Sequence, residues 1–217
     1  MEKMDENELM ERISHNPAVL REIDEPSEAV MLFAVKNAWN NLKYLKAPGP
    51  TVQEAAVRNK GWAIQYIKEP SEYLQNLAVE RDADAIGYIA EPSCAVQVKA
   101  VRQGWYALKY IKDPCEAAKQ AAVLQNEQAI SYIRDITREE MAGYIWDNIK
   151  VVKYVYDSLD FEDFTELLTR KFSGEVPLEY IRDFMEIKII DMNKIKFINS
   201  VGNKATRQKL VDYLLGR

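Results

Sequence analysis

A 22-residue repeat constrains this sequence more than any other feature. From residue 26 onward, a proline, an alanine, a valine and a tyrosine each return in the same phase over several units. The proline row is Pro26, Pro48, Pro70, Pro92 and Pro114, and the tyrosine row is Tyr44, Tyr66, Tyr88, Tyr110, Tyr132 and Tyr154. A fixed period of this length is typical of stacked-repeat proteins, in which each unit contacts only its neighbours.

The spacing of apolar positions inside one unit predicts two short helices. Positions 30, 34 and 35, followed by 41, 42, 44 and 45, are three or four residues apart, whereas a half-buried strand would alternate. Helices of about nine residues are marginal in isolation, so each pair must bury its apolar faces against the next pair. The sequence therefore predicts an all-α protein, an α-solenoid of short helical hairpin repeats with a C-terminal capping helix.

The phase of the repeat also divides the chain. We predict an N-terminal cap with a degenerate repeat over 1–25, six helix-turn-helix repeats over 26–158, and divergent helical repeats with a C-terminal cap over 159–217. In the last stretch, Leu210, Tyr213 and Leu214 are expected to pack inward.

Two segments carry a resemblance to known proteins. AVRNKGWAIQYIKEP at 56–70 and AVRQGWYALKYIKDP at 100–114 resemble a family of short tandem α-helical repeats, a domain of unknown function that occurs in bacteria, phages and large DNA viruses. The resemblance covers about residues 26–158. It implies the fold, and it implies no particular activity.

Composition narrows the classes of partner. A net charge of -5 and a pI near 5.2 oppose sequence-independent binding to nucleic acid. The sequence has no long apolar run, and its first residues, MEKMDENELMERI, lack the apolar stretch of a secretory signal, so we expect no membrane association and a cytoplasmic protein. In that setting, Cys94 and Cys115 are predicted to be reduced, buried thiols.

The sequence contains few candidate residues for the common types of catalytic site. His15 is the only histidine, which excludes a His-based metal cluster, a Ser-His-Asp triad and a Cys-His dyad. There is no glycine-rich phosphate loop. The acidic cluster Asp160, Glu162 and Asp163 could hold a divalent cation, but a solvated helix start is the favoured interpretation. We therefore predict a non-enzyme with no cofactor, no metal site and no small-molecule substrate.

Aromatic residues provide the candidate binding features. The tyrosine row is interpreted as core, because each tyrosine neighbours two apolar positions. Large aromatics near the turn between the two helices vary from unit to unit, with basic residues phased on the same edge, and such residues are enriched in interface hot spots. The predicted partner-binding set is Trp39, Trp62, Trp105, Tyr106, Lys36, Arg58 and Arg102. The alternative is that these rings only fill gaps between adjacent turns.

These features predict a non-catalytic protein that binds an acidic or amphipathic surface of another protein. The resemblance adds the expectation of a phage-encoded inhibitor or modulator of a host protein complex. The alternative is a nucleic-acid-binding helical repeat protein that uses the basic and aromatic rows.

Overall fold

A computed structural model describes residues 5–216, and every regular element in that range is helical. Residues 1–4 and Arg217, which belong to the predicted terminal caps, lie outside the described residues. The chain forms two compact units, Met1–Ala118 and Lys119–Arg217, called unit 1 and unit 2 below. None of the helices within 5–216 is both long and apolar enough to cross a bilayer.

Unit 1 alternates α-helices of ten residues with 3₁₀ helices of six residues. The α-helices are α1 (Glu6–His15), α2 (Glu28–Asn37), α3 (Pro50–Asn59), α4 (Glu72–Arg81) and α5 (Cys94–Gln103), and α6 (Glu116–Gln125) begins at its end. The 3₁₀ helices are Pro17–Glu22, Trp39–Tyr44, Gly61–Tyr66, Ala83–Tyr88 and Trp105–Tyr110. From α2 onward, each α-helix starts 22 residues after the last one, so the sequence period is the structural period.

Each α-helix from α2 to α5 begins after a capping position that follows the phased proline. The hydroxyls of Ser27, Ser71 and Ser93 accept the backbone N–H three residues later, which satisfies one of the free donors of the helix start. The proline therefore lies just outside the helix, not in its first turn. Its carbonyl instead accepts a hydrogen bond from a glutamine of the same repeat, in the pairs Gln53–Pro48, Gln75–Pro70 and Gln97–Pro92.

Aliphatic side chains form the core of unit 1. Consecutive α-helices pack against one another in the pairs α2–α3, α3–α4 and α4–α5, and consecutive 3₁₀ helices pack likewise. The fully buried residues in the alanine and valine rows are Ala34, Val35, Ala56, Val57, Ala78, Val79, Ala100 and Val101. Because alanine allows backbones to approach closely, each hairpin can bury its apolar face against its neighbours.

The tyrosine row is not core, and the prediction that it would be is wrong. Tyr88 and Tyr110 are 46% exposed, and Tyr154 is 45% exposed. For Tyr88 and Tyr110 the physical reason is that the second helix of each repeat in unit 1 is 3₁₀, with 3.0 residues per turn rather than 3.6. Tyr154 lies instead in a four-residue α-helix, Val152–Val155. At about 120° per residue, Leu42 and Leu45 share one buried edge, and Tyr44 turns out of it.

The two cysteines also differ from the expectation of reduced, buried thiols. Cys94 and Cys115 form a disulfide that joins two successive repeats, with Cys94 exposed and Cys115 half-buried. One repeat earlier, the corresponding positions carry a hydrogen bond from Ser93 to Glu72. The disulfide therefore replaces a polar contact that the repeat geometry already places there.

Unit 2 starts in the same period and then leaves it. After the 3₁₀ helix Glu127–Tyr132 and α7 (Arg138–Asp147), the helical stretch Ile149–Val151, α8 (Val152–Val155) and Tyr156–Ser158 is longer than its counterparts. Four helices follow without the period: α9 (Phe161–Ser173), α10 (Leu178–Glu186), α11 (Lys194–Val201) and α12 (Lys204–Leu215). α12 packs on α10 and α11, as expected of a capping helix.

Aromatic rings form much of the core of unit 2. Phe172 and Phe184 are fully buried, and their ring centroids lie 4.9 Å apart. The buried hydroxyl of Tyr180 donates to the carbonyl oxygen of Ile145, and burial raises the pKa of this phenol. In α12, Leu210 and Tyr213 are buried as predicted. Leu214 is 40% exposed, so the prediction that it packs inward is wrong.

Candidate binding face of unit 1

Two features that the sequence suggested separately form one surface in unit 1. The ring of Trp39 contacts the edge of Trp62 at a centroid distance of 6.5 Å and stacks on Tyr66 at 6.1 Å. Trp62 in turn contacts Tyr88 at 6.1 Å. Turn tryptophans thus pack on tyrosines of the next repeat. We define the aromatic face as the rings of Trp39, Trp62, Tyr66, Tyr88, Trp105, Tyr106 and Tyr110.

The turn geometry places these rings. Each α-helix ends at an extended residue, Lys60 in the α3 repeat, whose N–H still bonds to the helix, and the 3₁₀ helix begins at the next residue. At Gly61 a Cβ would lie 2.4 Å from the carbonyl oxygen of Ala78, so a side chain would collide with the neighbouring repeat here, whereas other repeats carry alanine or tryptophan at this position. The N–H of Gly61 donates to the carboxylate of Asp82 at 2.7 Å.

Trp62 is held firmly in this setting. Its indole Nε1 donates to Asp84 Oδ1 at 2.8 Å, so its polar atom has a partner. The ammonium of Lys60 lies 5.0 Å from the ring centroid and also forms an ion pair with Asp82. A ring fixed in this way loses little side-chain entropy when it binds a partner.

The rings remain accessible although they contact one another. Trp39, Trp62 and Trp105 are half-buried, and Tyr106 is 46% exposed and lies edge-on to Trp105 at a centroid distance of 6.4 Å. Within residues 5–118, no aromatic side chain is buried. The turn rings therefore fill gaps between adjacent repeats on one side and present an aromatic surface on the other.

The three predicted basic residues lie in the last turns of their helices and are exposed. They are Lys36 in α2, Arg58 in α3 and Arg102 in α5. A cation at this end of a helix is favoured by the helix dipole.

Arg58 already has partners in unit 1. Its guanidinium lies 2.7 Å from Glu54 and donates to the hydroxyl of Tyr73 at 3.1 Å, and that hydroxyl in turn donates to Glu54. The hydrogen bonds from Arg58 and then from Tyr73 lower the pKa of Glu54, and the bond to Glu54 raises the pKa of Arg58. The charge of Arg58 is therefore partly neutralised within the repeat.

Other cations, which the prediction did not include, lie directly on the tyrosine row. Arg21 and Lys43 each lie 4.8 Å from the ring centroid of Tyr44, and Lys109 lies 5.7 Å from that of Tyr110. Lys43 and Lys109 occupy the same repeat position, on the exposed side of the 3₁₀ helix. The recurrence of lysine at this position was the sequence signal that could have predicted these contacts between a cation and a ring. Cations over rings combine aromatic and positive recognition at one position.

The acidic cluster of unit 2 has a local structural role. Asp160 caps α9, and its carboxylate oxygen Oδ1 accepts the backbone N–H groups of Glu162 at 2.9 Å and Asp163 at 3.0 Å. This is the helix start that the sequence favoured for these residues.

Comparisons with known proteins gave no match. No family model, no curated protein and no solved structure matches the chain. The resemblance to a tandem-repeat family stays a prediction from the quoted segments.

Proposed function

We propose that this chain is a non-catalytic binding protein whose aromatic face captures an acidic or amphipathic surface of another protein. One observation carries the proposal: unit 1 keeps aromatic rings at phased positions in successive repeats without burying any of them in its core. Apolar rings that a fold leaves on its surface mark interaction sites when they are contiguous. Ring contacts join Trp39, Trp62, Tyr66 and Tyr88 in this way.

The chemistry of the partner follows from the groups beside the rings. Lys43, Lys60 and Lys109 lie on aromatic rings, and Lys36 and Arg102 are exposed in the last turns of α2 and α5. A partner segment with apolar side chains between carboxylates would meet both features. Tryptophan, tyrosine and arginine are also the residues that most often dominate binding energy in protein interfaces.

Affinity capture from the source organism, followed by mass spectrometry, tests the proposal. The exposed tyrosines supply the main variant, Tyr88→Ala with Tyr110→Ala, which we expect to weaken capture of a specific protein roughly 30-fold, since a hot spot is worth about 2 kcal/mol. Trp62→Ala with Trp105→Ala should also abolish capture, with helicity by circular dichroism largely retained.

Tyr154→Ala provides the matched control. Tyr154 has the same repeat position and is 45% exposed, but it lies in unit 2, outside the aromatic face. This variant should capture the partner as the wild type does. Equal capture by the Tyr88/Tyr110 double variant and the wild type would show that the aromatic face is not the binding surface.

Nucleic-acid binding is the second candidate, because exposed rings in register with adjacent cations can stack on successive bases. The net charge of -5 opposes it. Salt separates the two: binding to a single-stranded oligonucleotide should fall steeply between low and moderate ionic strength, whereas a protein complex anchored by aromatic rings should change little.

The resemblance extends the proposal to a phage-encoded inhibitor or modulator of a host protein complex. The identity of the captured protein tests this extension. Capture of a subunit of a host assembly, with loss of that assembly's activity on titration, is the expected result.

A further inference from the structure

Unit 2 contains an apolar groove that shares no residue with the aromatic face. It has a volume of about 190 Å³ and lies between α7 and α9. Met141, Ala142 and Ile145 line it from α7, and Phe164 and Leu167 line it from α9. The side chains of Ile145 and Phe164 are buried, while Met141 and Leu167 are half-buried. The groove therefore has an apolar floor and accessible walls.

The groove lies where two residues of the repeat are replaced. In three repeats of unit 1, a glutamine at the equivalent position donates a hydrogen bond to the carbonyl of the preceding proline, as Gln75 does to Pro70. In unit 2, Ile136 stands in the proline row and Met141 in the glutamine row, and both line the groove. The exchange replaces a polar contact by apolar surface.

The volume of the groove indicates the size of the group that it can hold. An apolar cavity of roughly 150 Å³ can hold a benzene-sized group. The groove is thus large enough for one aromatic or large aliphatic side chain. Methionine in the wall can adjust its shape to such a group, since its unbranched side chain fills irregular gaps.

The charged residues at the rim of the groove indicate which residues would flank the inserted side chain. Asp160 and Asp163 lie at the mouth with one cation, Arg138. The ion pair between Arg138 and Asp163 is long, at 3.9 Å, and its side chains are 87% and 67% exposed, so it is weak. The neighbouring Glu162 is exposed and adds a third carboxylate. The rim is therefore net negative and complements a cation.

We propose that this groove binds a segment of a partner protein that inserts one large apolar side chain with lysine or arginine beside it. The side chain fills the space between Met141, Phe164 and Leu167, and the adjacent cation pairs with Asp160 or Asp163. This preference is opposite in charge to that of the aromatic face, so the two surfaces bind different segments.

Methyl NMR spectroscopy of the full chain tests the proposal with three capped tripeptides. The first has phenylalanine between two lysines, the second has phenylalanine between two glutamates, and the third has alanine between two lysines. We expect the first alone to shift the methyl signals of Ile136, Met141 and Leu167 in a saturable way. Equal shifts with the second or third peptide, shifts centred on the aromatic face, or concentration-dependent shifts without peptide, which indicate a second copy as occupant, would overturn the proposal.

Two variants connect the signals to the groove. Met141→Gln introduces the residue that three other repeats carry at this position, so the fold should tolerate it, and it should weaken binding at least tenfold. Asp163→Asn should weaken binding several-fold and reduce the discrimination between lysine and glutamate flanks. Unchanged binding by both variants would also contradict the assignment. Neither variant alters the aromatic face, so the test is independent of the proposed function.

Discussion

Units 1 and 2 use aromatic residues in opposite ways. Unit 1 has ten aromatic side chains among its described residues and buries none of them, whereas unit 2 buries Tyr144, Phe164, Phe172, Tyr180, Phe184 and Tyr213. The difference lies in which side chains fill the two interiors. In unit 1, ten-residue helices pack closely through alanine and valine, and leucine and isoleucine side chains such as Leu42 and Ile64 fill the rest of the core. In unit 2, helices outside the period contribute rings such as Phe172 and Phe184 to the interior.

This comparison distinguishes rings that stabilise the fold from rings that are available for binding. A buried ring in unit 2, such as Phe184, contributes to stability through burial, so its presence needs no functional explanation. A ring in unit 1 contributes through partial contacts with the next repeat, and much of its surface stays in water. The aromatic composition of unit 1 is therefore greater than its fold requires, and this excess supports a binding role.

Truncation of one ring in each unit should show the largest contrast. Phe184→Ala removes a fully buried ring that packs on Phe172 and Phe197 and should cost about 3–5 kcal/mol of stability. Tyr88→Ala removes an exposed ring and should cost less than about 1 kcal/mol. Chemical denaturation measures both, and hydrogen exchange assigns the loss to one unit. Similar losses for both would mean that the rings of unit 1 are structural.

The disulfide provides the next contrast, since both cysteines of the chain lie in unit 1. Closing a loop of 21 residues restricts the unfolded chain and should stabilise unit 1 by roughly 3 kcal/mol. Reduction with dithiothreitol should thus increase hydrogen exchange in α5 and leave α10 unchanged. Cys94→Ser with Cys115→Ser serves as the control and should behave like the reduced wild type, with no further response to dithiothreitol. Equal effects of reduction on both units would contradict a local role.

The regular part of this architecture could be predicted from the sequence because each weak local signal recurs at the same position in several repeats. The all-helical class, the 22-residue spacing of helix starts and the position of Trp39, Trp62 and Trp105 at the junction of the two helices all follow from phased residues. The burial of Leu210 and Tyr213 also followed from their spacing.

The error on the tyrosine row has its physical origin in the second helix of each repeat. Apolar residues three apart fit both an α-helix and a 3₁₀ helix, but the two differ by about 20° per residue, and this difference accumulates to turn Tyr88 from core to surface. The disulfide was missed for another reason. Cysteine number suggested reduced thiols, whereas pairing depends on how closely successive repeats approach, with Cα atoms of Cys94 and Cys115 5.8 Å apart.

The same small substitution should have opposite signs in the two units. Gly61→Ala in unit 1 places a Cβ against the carbonyl oxygen of Ala78 in the next repeat, and such crowding should destabilise by about 1–3 kcal/mol. Gly143→Ala in α7 of unit 2 meets no atom within 4 Å and should stabilise by about 0.5–1 kcal/mol, because alanine is the better helix former. Thermal unfolding of the two variants measures both effects. If Gly61→Ala were neutral, the close approach of repeats that positions Trp62 would not be a requirement of unit 1, and the argument that its turn presents a fixed ring would fail.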